Sequence, residues 1–173
     1  MSFPAMLKFA AMRVVALAIM AAPIGAPAQG GDTVLKPADT QKLLPASVYY
    51  KGQSATTQLR NSGGVKFADG YFVLAALVDT SGYSTDIQAK YSAYFITEIP
   101  IVLGGKSLAA GVYGVGFIGD DKFVVTDVGA HDMLTVTSSN DAGLKRPMPL
   151  QVTTDPSGGF RLYSGRRYVV FSR

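Results

Sequence analysis

The chain has 173 residues, 16 of them basic and 12 acidic, with no cysteine and no tryptophan. Without cysteine there is no disulfide, no thiolate nucleophile, no lipid-modified N-terminal cysteine and no Cys-ligated zinc, so the fold must be held by its core alone. The near balance of charge argues against a nucleic-acid partner.

Lys8 and Arg13 precede an apolar run from Val14 to Ala22, followed by Pro23 and the small residues Ala26-Pro27-Ala28. That succession predicts a signal peptide over residues 1–28, cleaved before Gln29, and hence an extracytoplasmic address, periplasmic or secreted. The run is shorter than the ~20 residues of a permanent membrane helix, and no transmembrane helix is expected in the mature chain. The 145 residues that remain suit a single domain, and without Lys8 and Arg13 they carry 14 basic against 12 acidic residues.

Residues 29–45, rich in Gly, Asp, Pro and Lys, read as a flexible N-terminal arm with one short helix from Pro37 to Leu44 between prolines. From Ser47 onward, short runs rich in Val, Ile, Tyr, Phe and Thr alternate with Gly, Asp and Ser clusters. This period-two pattern predicts an all-β domain over residues 46–173, an antiparallel β-sandwich of immunoglobulin-like or prealbumin-like architecture with about ten short strands.

The expected strands are Ser47–Lys51, Thr56–Arg60, Tyr71–Asp79, Tyr91–Leu103 interrupted at Pro100, and Gly111–Ile118. They continue with Phe123–Asp127, Met133–Ser138, Leu150–Thr154, Phe160–Tyr163 and Arg167–Ser172. Turn chemistry separates them at Asn61–Gly64, Ala68–Gly70, Gly119–Asp121, Asp155–Gly159 and Ser164–Gly165. Tyr71–Val78 is apolar at every position, which places it centrally with both faces covered. Met133–Ser138 alternates Leu134 and Val136 inward with Thr135 and Thr137 outward, which implies one covered side.

Leu108-Ala109-Ala110-Gly111-Val112-Tyr113 resembles the tyrosine corner of sandwich proteins, in which the phenol of a strand-entry Tyr folds back to hydrogen-bond the upstream backbone. The resemblance implies a buried hydroxyl bonded near Leu108 and names an architecture, not a function.

Gly104-Gly105-Lys106-Ser107 has the ending of a phosphate loop, but Pro100 stands where its first Gly belongs, so it reads as a hairpin turn. His131 is the single histidine. Flanked by Asp127 and Asp132, it offers an Asp-His-Ser triad or a mixed metal site at Asp127, His131 and Asp132. No Gly-x-Ser-x-Gly elbow accompanies it, and His131 reads first as a polar loop histidine exposed to water. Eleven of the twelve acidic residues are Asp, mostly in turns; Glu98 is the exception and reads as an outward Glu on an edge strand. Gln53, Thr56, Gln58, Arg60 and Asn61 form a polar row that suits a glycan, a peptide strand or plain water.

Six of the fourteen mature cations (Lys145, Arg146, Arg161, Arg166, Arg167, Arg173) fall in the last 29 residues. A two-residue turn at Ser164–Gly165 would set Tyr163 opposite Arg166 and Arg161 opposite Tyr168. That would make Arg161, Tyr163, Arg166 and Tyr168 one face able to grip an anion. The sequence therefore reads as an exported, non-catalytic binding or structural module of the cell envelope, without cofactor, whose partner is an anionic glycan, lipid or protein. The alternatives are an extracytoplasmic hydrolase or metal-dependent enzyme using His131 with Asp127 or Asp132, and a small outer-membrane β-barrel.

Overall fold

The computed structural model describes residues 31–173; the expected signal peptide over 1–28 and its cleavage point lie outside the described residues. Fourteen strands and two short helices follow in chain order. The first part of the chain gives β1 (Thr33–Leu35), α1 (Pro37–Thr40), β2 (Ser47–Tyr50), β3 (Gln53–Lys66), β4 (Phe72–Val78), α2 (Thr85–Lys90) and β5 (Ala93–Thr97). The middle gives β6 (Ile101–Leu103), β7 (Lys106–Leu108), β8 (Gly111–Ile118), β9 (Lys122–Thr126) and β10 (Asp132–Thr137). The last part gives β11 (Ser139–Asn140), β12 (Met148–Thr154), β13 (Phe160–Gly165) and β14 (Arg167–Ser172).

Every strand pair is antiparallel. The large sheet runs β1-β3-β4-β5-β8-β9-β10, with β2 added beside β3; the small sheet runs β12-β13-β14-β6-β7, with β11 added beside β14. Between them lies one core, where Val73, Ala75, Phe95, Val115 and Phe123 of the large sheet meet Leu103, Leu150, Leu162, Val169 and Phe171 of the small one. This is the β-sandwich that the alternating pattern implies. Its two open sheets do not close into one cylinder, which corrects the outer-membrane-barrel alternative.

Strand β4 is central, as its unbroken apolar run requires. Val73 and Ala75 face the sandwich core, while Leu74 and Ala76 pack with Leu44 on the opposite side. Further along that outer face, Tyr50, Tyr83 and Tyr91 form a second cluster, with the Tyr50 and Tyr91 rings stacked at 3.6 Å between centroids. Helix α2 adds Ile87 to it. With six residues, this helix is too short to display a 3.6-residue period, and the sequence pattern did not anticipate it.

The expected arm is part of the sandwich. Strand β1 pairs with the C-terminal half of β3, from Thr33 opposite Lys66 to Leu35 opposite Gly64. The Thr40 hydroxyl is fully buried and 2.6 Å from Ser62 Oγ, and Leu44 is buried beside Leu74. A flexible arm is thus corrected to an edge strand and a helix that ends at Thr40, short of the expected Leu44. The apolar residues responsible, Val34, Leu35 and Leu44, are too widely spaced to stand out among Gly, Asp and Pro.

The expected turn at Asn61–Gly64 is likewise not a turn. Strand β3 continues through it with a register slip between Gln58 and Ser62, so Leu59, Arg60 and Asn61 bulge out of the ladder. Asn61 Nδ2 donates to Gln58 Oε1 at 2.9 Å and Ser62 Oγ to the Leu59 carbonyl at 2.6 Å, which holds the bulge. The chain changes sheets at Pro100, between β5 and β6, returns between β7 and β8, and crosses once more at Ser138, between β10 and β11.

The tyrosine corner forms: Tyr113 donates its hydroxyl to the Ala109 carbonyl at 3.0 Å. A Cβ on Gly111 would stand 2.9 Å from that hydroxyl oxygen, so the ring folds back closely across this glycine. The expected burial is only partial, since Tyr113 is half-exposed.

Candidate functional site

The C-terminal hairpin turns one residue later than expected. Ser164 pairs with Arg167 and Tyr163 with Tyr168, so Gly165 and Arg166 make the turn. Gly165 carries the φ of +61° that the turn needs. Arg161 therefore stands opposite Val170 rather than Tyr168, and Arg166 leaves the shared face. The expected stacking is nonetheless present along the diagonal: the Arg161 guanidinium lies 4.4 Å over the Tyr168 ring, and the Tyr163 and Tyr168 rings are 5.1 Å apart.

Arg161 is already engaged. It is bonded to the buried Asp155 carboxylate, donates to the Tyr163 hydroxyl at 3.2 Å, and lies 3.8 Å from Asp141. Tyr163 in turn donates its hydroxyl to Asp141 Oδ2 at 3.0 Å. The Ser157 hydroxyl first, and the Arg161 guanidinium next, hold the Asp155 carboxyl down to about 2. Arg166 spends its guanidinium on the carbonyls of Ala142 and Leu144. The four residues thus form a network pinning the 141–146 loop to the outer face of the small sheet. Two other cations of this cluster tie the sheets together at the ends of β14. Arg167 donates to the Phe117 carbonyl at 2.8 Å, and Arg173 pairs with Asp69.

Around His131 the backbone makes an Asx-type loop, with Asp127 Oδ1 accepting from the backbone N–H of Gly129 and of His131. His131 Nδ1 lies 2.9 Å from Asp127 Oδ2, with the imidazole 76% exposed. These bonds from His131 keep the Asp127 carboxyl below its usual range. Asp132 turns away and pairs with Lys90 at 2.7 Å. Among the described residues, no three His, Asp or Glu side chains converge as a metal site would require.

Glu98 accepts from the Phe72 backbone N–H at 2.8 Å, substituting for a ladder partner beyond the end of β5. Thr56, Gln58 and Arg60 are exposed, as a solvated face would be. The Gly104–Gly105 pair, with φ of +54° and +81°, makes the β6–β7 hairpin turn.

One concavity of the described residues was not visible in the sequence. Strands β1 and β12 each end their sheet, on the same side of the sandwich, and between them opens a cleft of about 370 Å³. Val34, Leu35, Pro37, Met148, Leu150 and Val152 give it an apolar wall. Its polar residues are Lys36, Ser62 and Gln151. Ser62 is satisfied by Thr40 and Leu59, whereas the Gln151 amide nitrogen is buried without a hydrogen-bond partner. Pro149 and an irregular register between Met148 and Gln151 mark β12 as an edge, the position where a sheet tolerates proline. The volume falls at the lower end of the ~300–1,000 Å³ range of small-ligand pockets.

Comparison with protein-family models, with curated proteins and with solved structures returned no match for this chain.

Proposed function

We propose that the protein is an exported, non-catalytic binding module of the cell envelope whose ligand site is the cleft between β1 and β12. Export rests on the signal-peptide pattern of residues 1–28. The binding reading rests on one observation above all: a preformed apolar cleft at the side of the sandwich where both sheets end. The His131 dyad supports chemistry less well, because Asp132 is committed to Lys90 and the imidazole lies open to water. The anion grip expected at Arg161 and Arg166 is replaced as the binding face, since both guanidinium groups are spent inside the chain.

The test uses the uncharged fluorophore 1-N-phenylnaphthylamine, whose emission rises in apolar surroundings. Saturable binding to a single site is expected for the wild type and for His131→Ala. Met148→Trp, which fills the cleft mouth, is expected to abolish it. Unsaturable binding, or equal binding by Met148→Trp, would place the site elsewhere.

A further inference from the structure

We infer that the occupant of this cleft is a single-chain acyl carboxylate, its hydrocarbon between β1 and β12 and its head group at Lys36. The inference rests on the binding reading above and adds the chemical class of the ligand.

The lining is one-sided in its chemistry. Six residues are apolar, and the one charged side chain of the lining, Lys36, is exposed. Lys36 enters none of the ion pairs among the described residues. The nearest carboxylate along the chain, Asp39, is turned back on the Lys36 backbone N–H at 3.3 Å, where it caps α1. No acidic side chain lines the cleft.

A wall of this kind complements a molecule with an apolar body and an acceptor end carrying negative charge. An uncharged hydrocarbon would leave Lys36 without a counter-charge, and a cation would meet it with like charge. The volume suits one chain rather than the two of a bilayer lipid. The ends of the ligand are therefore assigned: the carboxylate toward Lys36, the tail along Val34, Leu150 and Val152.

The experiment compares laurate with dodecanol by displacement of 1-N-phenylnaphthylamine from the full mature chain. Laurate is expected to bind about tenfold more tightly than dodecanol, the margin of one charge-assisted hydrogen bond. Lys36→Met should bring laurate down to the affinity of dodecanol while leaving dodecanol unchanged. Equal binding of laurate and dodecanol, or a preference that survives Lys36→Met, overturns the ligand class and leaves the apolar cleft standing. Displacement by neither amphiphile, with the fluorophore still lost in Met148→Trp, overturns it in the same way. Failure of the fluorophore itself to bind removes the cleft reading and this inference together.

Discussion

The two long sides of the sandwich are finished in opposite ways. On one side the edges are β10 and β7, and they are sealed: a Cβ on Gly104 would stand 2.7 Å from Val136, so the β6–β7 turn is in direct contact with β10. Lys106 Nζ donates to the Thr135 carbonyl at 3.1 Å, and the chain crosses from one sheet to the other through β11. What remains there is a shallow hollow of about 250 Å³, lined mainly by Lys106, Asp121, Lys122, Thr135 and Thr137. On the other side β1 and β12 stand apart with apolar residues between them. Exposed strand edges invite unwanted pairing, and proteins ordinarily cover them with charge, proline or another element. Here one edge is covered fully, and the other keeps only Pro149 and a short strand. The difference singles out the open edge as the side given to binding.

Removing the elements of the open side should have the largest effect. A chain beginning at Leu44 loses β1, α1 and the buried Thr40–Ser62 bond. Its stability to urea should fall by about 3 kcal/mol or more, from two half-buried aliphatic residues and a buried hydrogen bond. An unchanged midpoint would restore the flexible arm.

Asp155→Asn comes next, because it releases the turn that follows β12. Leaving Arg161 without its buried carboxylate should cost about 2 kcal/mol at neutral pH. The sign follows from the depressed carboxyl. Asp155 titrates at about 2 in the folded chain against roughly 4 unfolded, so its stabilising effect is present above pH ~4 and fades as pH falls toward 2. The wild type and Asp155→Asn should therefore converge in stability over that window, as read by urea unfolding at successive pH values. A constant difference down to pH ~2 would contradict the role given to Asp155.

On the sealed side, Gly104→Ala places a methyl against Val136 at a φ of +54°. The cost expected is about 1 to 2 kcal/mol, with fluorophore binding at the far cleft unchanged. Smallest of all, Met148→Trp alters a residue 40% exposed at the cleft mouth and should shift stability by less than about 0.5 kcal/mol while removing binding. If the two substitutions exchanged their effects on binding, the assignment of the sides would be reversed.

The sandwich was legible because its signals are local. Leu162 and Val169 alternate with Arg161 and Tyr168, the run at Phe72–Val78 is apolar throughout, and the Leu108–Tyr113 spacing folds a phenol back on the chain. Elements fixed by distant partners were not legible. Strand β1 exists because Leu35 finds Gly64, and polar Asn61 and Ser62 are kept in β3 by Gln58 and Leu59 rather than by strand propensity. The hairpin register turned on a single residue, since Ser164-Gly165 and Gly165-Arg166 both supply a glycine and only φ at Gly165 separates them. The cleft had no sequence signal at all, because its walls come from residues 34–37 and 148–152, joined only by the ends of the two sheets.

On this reading the β1–β12 side binds an apolar ligand and the β7–β10 side does not. Backbone amide shifts recorded by NMR during titration with laurate test it most directly. Saturable shifts are expected at Val34, Leu35, Lys36, Gln151 and Val152, with Lys106, Thr135 and Val136 unmoved. Shifts centred on the β7–β10 side, or spread evenly over the surface without saturation, would contradict it.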